Sequence, residues 1–348
     1  MEKRVLITRW LGPETQPIPI YDEASVSSAR QLVREAGQRS GLQKQTVEAV
    51  TLVASELTHN QISHAKHGYF AAKPIDRSGV KGLEVIAADV GSGIAKPYQA
   101  IQDKMSTAGS LGAGLGAVFR IADEVELDNR LLEGVCIVAR KFEASAAPLC
   151  CEAAIMGRPY PGEVISGDDG VFFQSESTFL AAVADGLGHG PEARVASNRA
   201  VEVLSEKRQT DLNEMVIALN QGLANTRGCA ISVVRFDRGS GMMDCLSAGD
   251  VHSHLYHLKD AYFFTPTPLV LGPGQFERQR VRIDRAQVQP GSVLVIFTDG
   301  LKSRTNLKDK LDILRQPTIA IAEHLLENDS RPDDDALVLV ARFKHGNR

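Results

Sequence analysis

Aromatic residues are scarce in this chain, at 5% of 348 residues, and neither sign of charge dominates. Lys and Arg number 39 against 43 Asp and Glu, for a formal net charge of −4 and a pI near 6.2. A nucleic-acid binder needs a basic face, and a single-strand binder needs aromatic platforms as well, so no nucleic-acid partner is expected. Long apolar runs are also missing. No stretch reaches the roughly 18 consecutive apolar residues of a membrane helix, so no membrane span is expected. Residues 1–10 alternate charged and apolar side chains and lack the apolar centre of a secretory signal. The five cysteines, Cys136, Cys150, Cys151, Cys229 and Cys245, include no Cys-x-x-Cys pair. Adjacent Cys150 and Cys151 do not bridge easily, so a reduced, cytoplasmic chain is the expectation. What the chain does have is ordinary apolar content, 43%, and length for two cores at about 150 residues each.

Patterning gives a coarse map. Residues 3–9 read as a strand, and 25–37 and 43–66 as helices. Val47, Val50, Leu52, Val53, Leu57 and Ile62 supply the apolar face of the second helix. Residues 82–89 form a short strand ending in Asp89. A glycine-rich loop covers 109–116, a helix 115–123, and a hairpin 125–127 with 134–141. The soft segment 143–149 marks a boundary between domains at 1–142 and 150–345. Beyond it strands recur at 171–173, 178–183, 230–236, 242–247, 254–257, 292–297 and 336–343, with helices at 192–207 and 212–223. Strands around a few long helices indicate an α+β layered class.

Three pieces of the first half carry chemistry. Glu56 and Asn60 stand four apart and share a helix face. A carboxylate beside a carboxamide can activate a nucleophile and hold a hard cation, although such a pair alone is commonly a solvated face. Asp89-Val90-Gly91-Ser92-Gly93 puts an acceptor at a strand end, able to take an exocyclic amine, though such a turn alone is commonplace. Gly109 to Gly116 precedes a helix, where backbone N–H groups can cradle phosphates; no Gly-Lys-Ser/Thr follows, so it is not a Walker A loop. In this order the pieces resemble the GHKL-type ATPase fold, and within it the small serine kinases of the RsbT/RsbW class; the stretch 106–115 is similar to the RsbT branch. The resemblance implies an α/β sandwich that binds ATP with Mg²⁺. Asn60 would hold the ion, Asp89 with Gly91 and Gly93 would form the adenine turn, and Gly109, Gly112, Gly114 and Gly116 would wrap the phosphates. Glu56 matches the general base. His59, His64 and His67 read as surface polar residues.

In the second half four aspartates stand at turns beside strands: Asp168, Asp185, Asp299 and Asp334. Residues 178–184 run apolar into Asp185, and 293–297 lead through Thr298 into Asp299. Carboxylates at buried strand ends are costly, and several together repel, unless a cation meets them. All-oxygen ligands select Mg²⁺ or Mn²⁺ over zinc. Asp185-Gly186-Leu187-Gly188-His189-Gly190, Phe297-Thr298-Asp299-Gly300 and Asp334-Asp335-Ala336 resemble, in order, the motifs of the PPM (type 2C) phosphatases in their SpoIIE/RsbU/RsbX branch. The resemblance covers about 150–345 and implies an αββα sandwich with a two-ion centre of Mn²⁺ or Mg²⁺. Asp185, the Gly186 carbonyl, Asp168, Asp299 and Asp334 would be its ligands. Asp334 is chosen over Asp333 and Asp335 by alignment with the family tripeptide. Leu337 departs from the usual threonine, at a position that is not a ligand. His189 is a secondary candidate for protonating the leaving oxygen. His252, His254 and His257 form a tempting cluster without an expected metal role, and Cys229 and Cys245 read as small buried residues.

Taken together, the resemblances imply a bifunctional switch protein: a serine/threonine phosphatase joined to a kinase domain, acting on a phosphorylated STAS-domain regulator of partner-switching or stressosome type. Homodimerisation stays open. Two alternatives remain: the first domain only senses ATP or ADP and regulates the phosphatase, or the chain is a non-catalytic anti-sigma binding module.

Overall fold

Asp22 opens the first helix by taking the Ser25 N–H on its carboxylate at 2.8 Å, while the Ser25 hydroxyl accepts from the Asp22 N–H at 3.0 Å, a reciprocal cap. That helix, α1 (Glu23–Arg39), buries Val26, Ala29, Val33 and Ala36 at helical spacing. The computed structural model describes Leu6, Leu11 and residues 16–102, 114–146, 149–272, 274 and 281–344. The chain divides into two compact units, Glu2–Ala147 and Pro148–Arg348. No helix among the described residues is long and apolar enough to cross a membrane.

In the first unit α2 (Lys44–Asn60) buries Val47, Val50, Val53 and Leu57. The helix expected to reach residue 66 instead ends at Asn60 and passes into a wide π-type turn, Gln61–Ala65. Leu52, counted on its apolar face, is 59% exposed, because two residues from Val50 is the opposite side of a helix. The antiparallel sheet runs β1 (Ile18–Ile20), β2 (Gly68–Arg77), β3 (Val80–Asp89), β5 (Gly134–Phe142), β4 (Glu124–Arg130). Both α1 and α2 pack on it. Two short helices, α3 (Pro97–Gln102) and α4 (Gly114–Ile121), follow β3. The strand expected over 3–9 lies outside the described residues except for Leu6, which is buried against Ala71, Ile86, Ala88, Cys136 and Val138.

The sheet face that bears Ile86 and Ala88 also bears Glu84, by the period of two. There Arg140 pairs with Glu84 at 2.5 Å and Glu126 at 3.0 Å, and Lys73 with Glu84 at 2.8 Å. Burial works against the Glu84 carboxylate, yet Arg140 and Lys73 hold it below the usual range.

The second unit stacks two antiparallel sheets. One runs β6 (Cys151–Arg158), β15 (Ala336–Phe343), β14 (Val293–Phe297), β11 (His252–His257), β12 (Asp260–Phe263). The other runs β13 (Ile283–Gln287), β10 (Met242–Ala248), β9 (Cys229–Asp237), β8 (Thr178–Gly186), β7 (Asp168–Gln174). Phe343 of the first sheet meets Phe179 and Phe236 of the second at ring distances of 5.7 and 4.6 Å. Helices α5 (Gly190–Glu206) and α6 (Leu212–Leu223) cover the second sheet. After a short α7 (Leu311–Leu314), α8 (Thr318–Asn328) lies on β6 and β15. The order helix, sheet, sheet, helix is an αββα sandwich, so the chain is of the α+β class.

Candidate active sites

The register of β7 against β8 sets Asp168 directly opposite Asp185. Thr298, one residue past β14, donates its hydroxyl to Asp168 Oδ2 at 2.7 Å and accepts the Leu337 N–H at 3.0 Å, tying three strands together at one carboxylate. Two glycines make the convergence possible. A Cβ on Gly300 would lie 1.6 Å from the Asp335 carbonyl oxygen, and one on Gly186 would lie 2.0 Å from the Ala193 carbonyl oxygen. Only glycine lets the Asp299 turn approach the Asp334–Asp335 turn, and the end of β8 approach α5, this closely.

The electrostatics show how near the carboxylates stand. Burial pushes Asp168 well up, and the charges of Asp185, Asp335 and Asp299 push it further. Asp185 is raised by burial and then by Asp299, Asp334 and Asp335. Asp299 is raised by burial and Asp334. Carboxylates that burial and one another's charges all push up call for positive charge. Asp335 adds a further call: its Oδ1 accepts the Tyr160 N–H at 2.6 Å, while its buried Oδ2 has no hydrogen-bond partner among the described residues. Hard oxygen donors crowded in this way fit a divalent cation such as Mg²⁺ or Mn²⁺. Among the described residues no three His, Cys, Asp or Glu side chains close into a metal cage. An open set suits Mg²⁺, which keeps several waters and takes one or two carboxylates.

Sequence reasoning missed the supports of this site. Arg194 is buried and donates to the carbonyls of Ser166 and Asp168, each at 3.2 Å. Arg158 donates to the Asp334 carbonyl at 2.9 Å. Asp333 is exposed. His189 stacks on Tyr160 with ring centroids 4.3 Å apart and lies 3.5 Å from Glu163. Burial pushes His254 down to about 4, and its Nδ1 sits 2.9 Å from the Tyr256 hydroxyl, the situation of a neutral core histidine.

In the first unit Gln61, also missed, bolts the end of α2 to the end of β3. Its amide donates to the Ala88 and Tyr69 carbonyls, both at 3.0 Å, so Asn60 and Asp89 flank a hydrogen-bonded pair. Burial raises Asp89, although the N–H groups of Gly91 and Val135 and the charges of His64 and His67 oppose it. The Asp89–Ile94 turn is held by buried Asn129, whose side chain accepts the Ile94 N–H and donates to the Ile94 carbonyl, both at 2.8 Å. Glu56 is half-buried on α2, one turn before Asn60. Gly114 and Gly116 sit in the first turn of α4, whereas Gly109 and Gly112 lie outside the described residues. Asn129→Ala removes both bonds and leaves the half-buried Ile94 N–H and carbonyl without that partner, so it should destabilise the first unit by about 1–2 kcal/mol in urea unfolding. A loss below about 0.5 kcal/mol would mean that this turn is held by something else.

A family model described as "Histidine kinase-like ATPase domain" matches residues 21–141, and one described as "Stage II sporulation protein E (SpoIIE)" matches 175–344. The serine/threonine-protein kinase RsbT of Bacillus subtilis (strain 168) is 35% identical over 125 residues, which are 36% of this chain and 94% of RsbT. The phosphoserine phosphatase RsbX of the same organism is 27% identical over 140 residues, 40% of this chain and 69% of RsbX. A crystal structure of RsbX in complex with magnesium shares the fold, with a TM-score of 0.50, 20% identity, and coverage of 56% of this chain and 96% of that one. A chain from a structure of "the bacterial stressosome: a modular system that has been adapted to control secondary messenger signaling" matches with a TM-score of 0.52, 28% identity, and coverage of 56% and 100%. The protein is therefore a GHKL-like ATPase domain followed by a PP2C phosphatase domain. It belongs to the RsbT family through the first, and through the second it is similar to the SpoIIE family and to the phosphoserine phosphatase RsbX.

Proposed function

We propose that the protein sets the phosphorylation state of a STAS-domain regulator in both directions, with the kinase site in residues 1–142 and the phosphatase site in 150–345. The observation that carries this reading is Asp168 directly opposite Asp185 in the β7–β8 ladder, with the charges of Asp299 and Asp334 raising Asp185 further. Asp185, Asp299 and Asp334 with the Gly186 carbonyl would hold two ions of Mg²⁺ or Mn²⁺, and Asp168, fixed by Thr298, would complete the set. Such ions, when bound, supply charge neutralisation and an activated water for in-line attack on a phosphomonoester. The chain's own part is to keep the carboxylates rigid: Thr298, Arg158 and Arg194 fix the backbone and side chains around them.

In the first domain Asn60 would hold the Mg²⁺ of ATP and Asp89 would accept the adenine amine. Gly91 and Gly93 would allow the base to approach, and Gly109, Gly112, Gly114 and Gly116 would wrap the phosphates. Glu56 would take the proton of the acceptor hydroxyl, since phosphoryl transfer chiefly requires positioning and charge neutralisation. The test uses the full chain, γ-labelled ATP with Mg²⁺, and STAS-domain proteins, followed by removal of ATP and addition of Mn²⁺. Label should enter the STAS protein with wild type and with Asp185→Asn, and leave it with wild type alone. Tight ATP binding without label transfer would make the first domain a nucleotide sensor. Failure of the wild type to release phosphate would remove the phosphatase.

A further inference from the structure

Among the described residues, Arg158, Arg194, Arg227 and Arg331 stand near the turns that carry the acidic side chains, and the first three are committed. Arg158 donates to the carbonyls of Asp334 and Arg331, and Arg194 to those of Ser166 and Asp168. Arg227 is ion-paired with Glu192. Arg331 is different. Its main chain is pinned on both sides, with its N–H donating to the Gly300 carbonyl at 2.7 Å and its carbonyl accepting from Arg158. The preceding Ser330 bridges Leu301. Arg331 is thus anchored between the Asp299–Gly300 turn and Asp334. Arg331 is half-buried, and its guanidinium has no hydrogen-bond or ion-pair partner among the described residues. Its charge reaches the site: burial and Asp334 push the Asp299 carboxyl up, and Arg331 draws it down.

A phosphate dianion entering a pocket walled by carboxylates meets like charge on most sides. Cations at the carboxylates offset part of that, and a permanent positive charge outside the ligand set offsets more. A guanidinium is suited to the task because its planar fork matches two phosphate oxygens and it stays protonated at any working pH. We propose that Arg331 binds the phosphoryl group of the substrate, donating two N–H groups to its non-bridging oxygens in the phosphatase site. This rests on the phosphatase reading above. It makes Arg331 a substrate-binding residue rather than a structural one, because the contacts that shape its turn come from its backbone and from Arg158.

The experiment compares full-length wild type, Arg331→Ala and Arg331→Lys with Mn²⁺ present. It measures KM for p-nitrophenyl phosphate, inhibition by inorganic phosphate, and the Mn²⁺ concentration that gives half of the thermal shift. Arg331→Ala should raise KM and the phosphate inhibition constant by about 10-fold or more, the scale of charge-assisted bonds lost. The Mn²⁺ half-point should stay in place, which also shows that the variant folds. Arg331→Lys should recover part of the loss, since it keeps the charge and lacks the fork. Unchanged KM and phosphate inhibition in Arg331→Ala would overturn the assignment. So would a Mn²⁺ half-point moved by the same factor, which would place the arginine's role at the cation site. An inert wild type overturns the phosphatase reading itself, and an active wild type with an unaltered variant overturns only the role of Arg331.

Discussion

Asp185→Asn should lower Mn²⁺-dependent hydrolysis of p-nitrophenyl phosphate by about 10³-fold or more, and at neutral pH without metal it should make the domain more stable. Both effects come from one carboxylate. Asp185 is raised by burial and by the neighbouring charges of Asp299, Asp334 and Asp335, so its ionised form opposes folding when no cation is present. Asparagine has nearly the same shape, carries no charge, and has an amide able to donate to Asp299, the group whose charge raises Asp185 most after burial. Each kcal/mol gained should appear as about 2–4 °C in the melting temperature of a unit this size. Melting curves of both proteins in EDTA, beside their turnover in Mn²⁺, check the pair of effects. A variant that keeps its activity would remove Asp185 from the centre. One that is less stable in EDTA would mean the carboxylate has a structural partner in the folded chain. A gain in stability with loss of function is the usual mark of a site kept for chemistry at some cost in stability.

Two of the candidate aspartates, Asp185 and Asp299, could be read from the sequence because each follows a recognisable apolar run, whereas Asp168 begins its strand and Asp334 stands before its own. The stretch 178–184 into Asp185 and 293–297 into Asp299 mark strands by composition, and the structure places both as β8 and β14. What could not be read is which ends meet. The pairing of Asp168 with Asp185 is a matter of ladder register, and Thr298 reaches Asp168 across 130 positions of chain. Such contacts depend on long-range packing rather than local pattern. Some elements were hidden for local reasons. Strand β6 reads Cys-Glu-Ala-Ala-Ile-Met-Gly-Arg, a composition with helical leanings, and its pairing with β15 decides the matter. Strand β2 contains Pro74, which argues against a central strand. It is tolerated because β1 pairs only with Gly68–Phe70 and leaves that stretch as an edge. Helix α8 was not anticipated either, and β12 and β13 are short and partly exposed. In the first domain the helix–turn order exposed Asn60 and Asp89, but not Gln61, whose value lies wholly in what it touches.

Removing the metal should make stability depend on pH in a direction fixed by the same carboxylates. Asp168 and Asp185 are raised well above the ordinary carboxyl range, and Asp299 and Asp335 are raised as well, in each case by burial first. A carboxyl with a raised value in the folded state keeps its proton after the unfolded chain has released it. Folding is then favoured below about pH 4, the unfolded value, and loses that advantage as pH rises towards the folded values. In EDTA the phosphatase domain should therefore weaken steadily as pH climbs from about 4 through neutrality. Mn²⁺ competes with those protons, so binding releases them and gains strength over the same window. At a hundred times its dissociation constant at pH 7, Mn²⁺ should add about 2.7 kcal/mol, and the same concentration should add much less at pH 5. Urea unfolding at several pH values with EDTA or Mn²⁺ measures both slopes. A Mn²⁺ stabilisation that is flat with pH, or strongest in acid, would mean that the ion binds elsewhere than at these aspartates.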